Sequence, residues 1–409
     1  MPGHPAPRTV SAAVTLDGEP LCAVGPVPVE SPWWAEATPV VRETERVLGV
    51  PVLVLRLLTV EGGEGGHGGH VTYHAEALAR PATTPAPFPP GLLPLLAPHP
   101  KRAPWATASG VREALAWAEE RLRASGRPAT GRPAQVKSWN LSGLFAIPTA
   151  DGPVWLKTTP PFAASEAAVT ALVARADPDL VPGALAAAPG RLLLPHIPGE
   201  DCWDAAEPMI RSVLTRWTAA QAALAVPGPA LEPAPAPYGL PDRTPAALAG
   251  LVAELLDRRD LGLSRAEHDA ARRLADRLPA LAGALRECGL PDTVLHGDFH
   301  PGNWRSDGAR TLLLDFADAC LGHPALDALR LSDFLPPHLG QVAEETWTKA
   351  WAGHVPGCDP ARALTLARPL QHLAAAVLYQ TFLDGIEPSE YPYHLGDPAA
   401  KIRDALTVA

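Results

Sequence analysis

Cysteine is scarce in this sequence and never paired at short range. Five cysteines (Cys22, Cys202, Cys288, Cys320 and Cys358) stand far apart in 409 residues. No Cys-x-x-Cys unit suggests a zinc ribbon, and the odd, scattered set does not suggest a disulfide framework. A reducing, cytoplasmic compartment fits that usage. No apolar run reaches about 18 residues, so no membrane-spanning helix is expected. The start, MPGHPAPRTVSAAV, lacks the charged region and apolar core of a secretory signal. Basic runs are missing too. With a net charge of −10, the surface repels phosphate backbones, and nucleic acid is not an expected partner.

What is present is ample apolar material. Hydrophobic residues make up 47% of the chain, which excludes wholesale disorder, and the length suggests about two to three domains. Alternation in Thr9–Leu16, a turn at Asp17-Gly18 and the run Leu21–Val24 predict a hairpin. Ser31-Pro32 reads as the start of a helix running through Leu48 and closed by Gly49. Val50–Leu58 reads as a buried strand, Gly62–Gly69 as a loop, and His70–Glu76 as a further strand. The proline-rich Pro81–Pro104 reads as a semi-rigid linker.

A helix is expected at Val111–Arg123, with Ser109 before it and Gly126 after it. Strand-like runs then fill residues 135–200 around one helix, Ala164–Ala176. Pro227–Pro237 is a second break, and from Thr244 the pattern is mostly helical. No internal repeat is evident.

The chemistry concentrates in VLHGDFHPGNWRSDGARTLLLDFADACLGHPALD, residues 294–327. His296-Gly297-Asp298 ends a short apolar run, and Asn303 follows Asp298 by five residues. A turn at Ser306-Asp307-Gly308 leads into the strand-like Thr311–Leu314, which ends in Asp315. The short turn folds that strand back and brings Asp315 near Asn303. Phosphoryl transfer needs such a set. A carboxylate orients the attacking hydroxyl and takes its proton, while oxygen ligands from Asn and Asp suit the hard cation Mg2+. Each element alone is common, as a turn, a loop residue or a strand-end cap. Together, at the spacing of a kinase catalytic loop and its metal-binding Asp, they point to function.

HGDFHPGN with the later LLLDFADACLGHPALD closely resembles the aminoglycoside phosphotransferase family of kinase-like enzymes. The resemblance spans about residues 135–390 and is strong in 294–327. It implies an α+β, protein-kinase-like two-lobed fold, with a sheet-rich N-lobe and a helical C-lobe. A small α+β N-terminal extension with its linker (1–104) would precede the N-lobe with its leading helix (105–197) and the C-lobe (198–409). It also implies that Asp298 is the catalytic base, that Asn303 and Asp315 bind Mg2+, that His296 braces the loop, and that Asp327 anchors a helix. Protein kinases look different, because Asp315-Phe316-Ala317 lacks the glycine of Asp-Phe-Gly and no Ala-Pro-Glu segment follows.

The same resemblance requires a lysine on an upstream strand and a glutamate on the next helix. Lys157, closing Val154-Trp155-Leu156, and Glu166 supply them, and the lysine would lie over the nucleotide phosphates. The phosphate-covering hairpin falls in Ser138–Gly152, where Ser142 and Gly143 are candidate phosphate contacts although the Gly-x-Gly-x-x-Gly pattern is absent. Leu192–Ile197 reads as the strand entering the hinge, with backbone near His196 facing the adenine edge.

Two other features are set aside. Val40–Val50 resembles the end of a Nudix box only superficially, since the needed glutamate falls at Trp34, the leading glycine at Pro28, and Arg46 replaces a metal-binding glutamate. An amphipathic helix explains that segment better. His67, His70 and His74 lie in or beside a glycine-rich loop, where ordering a metal site costs backbone entropy. Trp33 and Trp34 read as core or interface.

The expected activity is transfer of the γ-phosphoryl of ATP or GTP to a hydroxyl of a sugar, amino alcohol or aminoglycoside-like acceptor. Asp384, Glu387, Glu390 and Asp397, with few basic residues nearby in sequence, would attract a cationic acceptor; capping of a solvated turn and helix start explains them slightly better. A catalytically inactive, nucleotide-binding regulatory protein on the same fold is the alternative. The joint retention of Lys157, Glu166, Asp298, Asn303 and Asp315 argues against it.

Overall fold

The computed structural model describes residues 8–225 and 239–409. The Pro/Ala-rich break expected at 227–237 lies outside the described residues. Two compact units emerge. The first takes the chain through Pro161, then Ala184–His196 and Phe382–Leu395; the second takes Phe162–Gly183, Ile197–Thr381 and Gly396–Ala409.

The first unit opens with the expected hairpin. Strands β1 (Arg8–Leu16) and β2 (Glu19–Val29) pair antiparallel. Asp17 and Gly18 both take positive φ, 54° and 81°, the geometry of a two-residue turn that matches strand twist. Helix α1 (Thr38–Leu48) ends on Gly49 in the left-handed region, φ 69°. It begins later than Ser31-Pro32 predicts, because residues 31–37 pair elsewhere: Trp34 N–H donates to Gly66 O at 2.8 Å and Trp33 bridges His67. Strands β3 (Val52–Glu61) and β4 (His70–Ala77) complete a sheet ordered β2-β1-β4-β3, with β1 and β4 parallel in the register Thr9↔His70. Both faces of β3 and β4 are largely buried; β3 is a mostly apolar run, whereas β4 reads HVTYHAEA and buries Thr72, His74 and Glu76.

The proline-rich stretch holds a one-turn helix, α2 (Leu93–Leu96). It is tied down rather than free, since Arg102 donates to Leu95 O, Leu96 O and Ala97 O. Helix α3 (Ala108–Ala124) is capped by Thr107, whose side chain accepts from Gly110 N–H, so the cap lies two residues before the expected Ser109. Its buried stripe Val111, Ala114, Ala118 and Leu122 packs with Phe145, Ile147 and Leu156 of a second sheet. That sheet is ordered β5-β6-β7-β9-β8, from β5 (Ala134–Trp139), β6 (Ser142–Thr149), β7 (Gly152–Thr158), β8 (Ala186–Ala188) and β9 (Arg191–Pro195).

The second unit is mostly helical. Helix α4 (Glu166–Ala176) precedes the two-residue strand β10 (Glu200–Asp201) and α5 (Glu207–Ala223). Then come β11 (Asp242–Arg243), α6 (Pro245–Leu256), α7 (Arg265–Ala275) and α8 (Leu278–Glu287). The sequence Ser264-Arg-Ala-Glu267 starts α7 with a reciprocal capping box. Short strands β12 (Thr293–Leu295), β13 (Trp304–Ser306), β14 (Thr311–Leu313) and β15 (Cys320–Gly322) lie in the catalytic stretch. Helices α9 (Ala325–Phe334), α10 (Pro337–His354), α11 (Pro360–Gly385) and α12 (Asp397–Thr407) follow, with the end of α11 falling in the first unit. One apolar core, including Trp217, Trp304, Trp347 and Trp351, runs through the second unit. No helix among the described residues is long and apolar enough to cross a membrane.

Candidate active site

The catalytic loop begins where β12 ends. Gly297 adopts φ +84°, and a Cβ there would lie 2.0 Å from Asp318 O. Only glycine satisfies both the left-handed backbone and the close approach. The expected hairpin forms: β13 pairs with β14 in the register Trp304↔Leu313, and Leu314 N–H donates to Asn303 O at 2.8 Å. Asp315 therefore stands beside Asn303. It carries φ 62°, a left-handed conformation uncommon for a side-chain-bearing residue. Such strain persists where the surroundings over-determine it, and it clusters at functional sites.

Beneath the loop lies a buried brace. His296 is fully buried and presents Nε2 to Leu314 O at 2.9 Å, while its Nδ1 accepts from Asp298 N–H at 3.4 Å. Burial drives its imidazole down to about 4, so it works as a neutral spacer between the two arms. Phe299 and Phe316 are buried against it, with the Phe316 ring centroid 4.4 Å away. Asp327, also buried, reaches up from the first turn of α9. Its Oδ2 accepts from His296 N–H at 2.8 Å, Trp217 Nε1 at 3.0 Å and Gln221 Nε2 at 3.1 Å, and its Oδ1 accepts from Gly297 N–H at 3.1 Å. Burial pushes its carboxyl up to about 6 against the pull of these donors. Asp327 thus ties the loop backbone, α5 and α9 together.

Asp298 is the exposed end of this assembly, its side chain one-third accessible. Two residues that the sequence analysis missed hold it. Arg330 donates from Nε at 3.0 Å and pairs through Nη2 at 2.8 Å, both with Asp298 Oδ1. His300 Nε2 lies 3.2 Å from Asp298 Oδ2. Because His300 Nδ1 accepts from Gly302 N–H at 3.0 Å, the proton of the neutral ring sits on Nε2 and is donated to the carboxylate. Asn303 Nδ2 donates to Asp298 O at 2.9 Å and Oδ2 at 3.2 Å. Burial alone would raise the Asp298 carboxyl, but the His300 hydrogen bond and the Arg330 charge outweigh it and hold it well below the usual carboxylate range. Arg330 could have been found from its spacing: it stands one helical turn after Asp327, on the same face of α9.

Lys157 lies on β7, in register with Leu144 of β6 and Leu192 of β9. Glu166 is buried and opens α4 of the second unit. Ser142 Oγ accepts from Trp139 Nε1 at 2.8 Å, and Gly143 N–H donates to Thr158 Oγ1 at 3.0 Å. A Cβ at Gly143 would press on Thr158 and Trp105, so packing already explains that glycine. His196 Nδ1 accepts from Trp155 Nε1 at 3.4 Å.

The expectation of acids with few basic neighbours at 384–397 is corrected for Glu387. That residue is buried in the first unit, between Arg56 at 2.9 Å and Arg102 at 2.9 Å. Glu390 is buried beside it, and burial plus the Glu387 charge push its carboxyl up to about 8. Neither stands as a solvated acid. Asp384 sits at the end of α11 and is exposed. Of the histidines near the glycine-rich loop, His70 contacts Thr9, and His74 is buried between Thr15 and Arg56. No cluster of three His, Cys, Asp or Glu suited to a metal occurs among the described residues.

The model of the phosphotransferase enzyme family, APH, matches residues 145–364, more than half of the chain. The chain belongs to this family. The phosphotransferase combines a sheet-rich N-terminal region with a helical C-terminal part, the α+β kinase-like arrangement expected for an enzyme that phosphorylates alcohol groups. Among solved structures it is similar to a macrolide 2'-phosphotransferase type I, at 18% identity over 70% of this chain and 96% of that one, with a TM-score of 0.49. A choline/ethanolamine kinase family protein from Mesorhizobium loti matches at 16% identity over 72% and 98%, TM-score 0.46. An aminoglycoside phosphotransferase from Streptomyces rimosus matches at 20% identity over 63% and 97%, TM-score 0.37. No curated protein matches the phosphotransferase significantly.

Proposed function

We propose that this phosphotransferase is a small-molecule kinase. It moves the γ-phosphoryl of ATP or GTP to a hydroxyl of a sugar, amino alcohol or aminoglycoside-like acceptor, with Asp298 as base. The observation that carries the reading is the Asp298 carboxylate, held ionised and oriented by Arg330, His300 and Asn303 at the accessible end of a buried brace. In the reaction the acceptor oxygen bonds to the γ-phosphorus, the bond from that phosphorus to the bridging oxygen breaks, and the hydroxyl proton passes to Asp298. ADP or GDP leaves with the bond's electron pair. A base held so far below neutrality is a weak acceptor, so its main work is orienting the hydroxyl and taking the proton late, as charge leaves the oxygen.

The donor set fits magnesium. Asn303 turns its Nδ2 toward Asp298, which leaves its amide oxygen as a hard ligand; Asp315 directly follows Leu314, whose N–H bonds to Asn303 O, and its carboxylate is the second hard ligand assigned here. Asn303 and Asp315 would hold the ion, which supplies charge neutralisation on the nucleotide phosphates when bound. Lys157 is assigned to those phosphates and Glu166 to steadying it, while the Ser142 hydroxyl remains a candidate phosphate donor and backbone near His196 an adenine contact. Asp384 is kept as an acceptor-side acid. Five free thiols support a cytoplasmic setting, and the net charge of −10 disfavours nucleic acid as a partner.

The test is magnesium–nucleotide titration of Asp315→Ala beside the parent, with coupled ADP release over a panel of alcohols. Weaker magnesium–nucleotide binding in the variant and acceptor-dependent release in the parent are expected. Binding without release, for every acceptor, would instead favour the regulatory alternative.

A further inference from the structure

Trp203 is a large, exposed aromatic of the second unit whose position the chemistry above leaves unexplained. It follows β10 in the second unit and is 56% exposed, which forgoes the free energy an indole gains on burial. Its inner face is nevertheless built in. A Cβ on Gly302 would lie 2.5 Å from the indole and 2.8 Å from the His300 ring. Gly302 does not take positive φ, so its missing side chain serves space, not backbone freedom. The indole centroid lies 5.8 Å from His300 and 5.8 Å from Phe334, and those two rings stack at 4.4 Å with 13° between planes. His300 in turn touches Asp298 Oδ2 at 3.2 Å. An accessible aromatic face therefore stands one imidazole away from the carboxylate.

An aromatic face carries negative potential and attracts either a cation or the polarised C–H face of a sugar ring. The cation is disfavoured at this spot. Arg330 already sets its guanidinium 5.9 Å from the Phe334 ring and pairs with Asp298, so a second positive charge would meet the first. We propose that Trp203 is the acceptor platform, stacking the C–H face of a neutral pyranose whose hydroxyl reaches Asp298. The inference rests on Asp298 being the base. It narrows the acceptor to a ring sugar and sets aside the amine-bearing alcohols that the acidic C-terminal segment suggested.

Coupled ADP release from the full chain with MgATP tests it, using methyl α- and β-D-glucopyranosides against choline and ethanolamine. The pyranosides should exceed the cations at least tenfold in kcat/KM. Trp203→Ala should raise pyranoside KM tenfold or more with kcat changed less than threefold, and Trp203→Phe should restore most of the loss. Saturation-transfer NMR on the parent protein, with no variant involved, should show transfer to ring C–H protons of the pyranoside. Preference for choline, unchanged KM in both variants, or no transfer overturns the platform. Release with cationic alcohols but with neither pyranoside overturns the platform alone. Absence of Asp298-dependent release with every alcohol overturns the kinase reading beneath it.

Discussion

Replacing Asp327 with Asn changes one oxygen for one NH2 in a fully enclosed site, and the outcome can be worked out atom by atom. The amide oxygen can keep the place of Oδ2, which accepts from His296 N–H, Trp217 Nε1 and Gln221 Nε2. The NH2 must then face Gly297 N–H, donor against donor, where Oδ1 now accepts. An orphaned buried N–H forfeits about 1–3 kcal/mol. The three surviving bonds lose their charge assistance, a loss already contained in the net pKa of the native carboxyl. Opposing this, the variant no longer buries a charge, and burial pushes the native carboxyl up to about 6. Relief from that desolvation offsets about 2–3 kcal/mol. The two terms nearly cancel, so stability should change by no more than about 1 kcal/mol, or roughly 2–4 °C in Tm for a unit of this size. Turnover should fall further than stability suggests, by tenfold or more, because Gly297 directly precedes the base and small displacements of reacting groups are expensive. Thermal unfolding followed by circular dichroism, with ADP release measured well below Tm, checks both. A variant whose turnover stays at the parental level would refute the claim that Asp327 holds the loop.

Arg330→Gln removes the charge that pairs with Asp298 Oδ1. Asp298 must be ionised to accept a proton, so raising its pKa carries the acid limb of the kcat/KM profile upward by about 1–3 pH units; an unmoved limb contradicts the pairing. Glu390→Gln tests the buried acid of the first unit. Its folded carboxyl titrates near 8 against roughly 4.3 unfolded, so the native state holds the extra proton between those values and the parent loses stability as pH rises through that window. The non-titrating variant should gain relative to the parent by a few kcal/mol at pH 9 and little at pH 4, read as the difference in Tm; equal differences at both pH values contradict the assignment.

The catalytic set of Asp298, Asn303 and Asp315 was legible because it is local. A two-strand hairpin with a Ser306-Asp307-Gly308 turn brings residues within 18 positions together, and the turn chemistry is written in the same segment. Arg330 lies just past that segment and is signalled only by its helical spacing from Asp327 on α9, whereas Trp203 arrives from a turn far upstream that nothing local announces. Glu387 misleads for a related reason: its partner Arg102 is 285 positions away, so a neighbourhood that looks purely acidic along the chain is neutralised in space. The first helix starts late because Trp34 N–H is claimed by Gly66, a pairing that no local capping rule foresees. The glycines divide similarly. Gly297 is announced by its place before Asp298, whereas Gly302 is explained only by Trp203 and His300, and Gly143 only by Thr158 and Trp105, which a Cβ would meet.

The central claim, that Asp298 serves as base to an acceptor hydroxyl, is tested most directly by Asp298→Asn. Asn keeps the shape and can still receive the His300 and Asn303 hydrogen bonds, but it cannot take the proton. With a phosphorylatable alcohol and saturating MgATP, single-turnover measurements should show the phosphoryl-transfer rate reduced by about 10²–10⁴, with nucleotide affinity within a few-fold of the parent. A variant that transfers phosphate at near the parental rate would contradict the account.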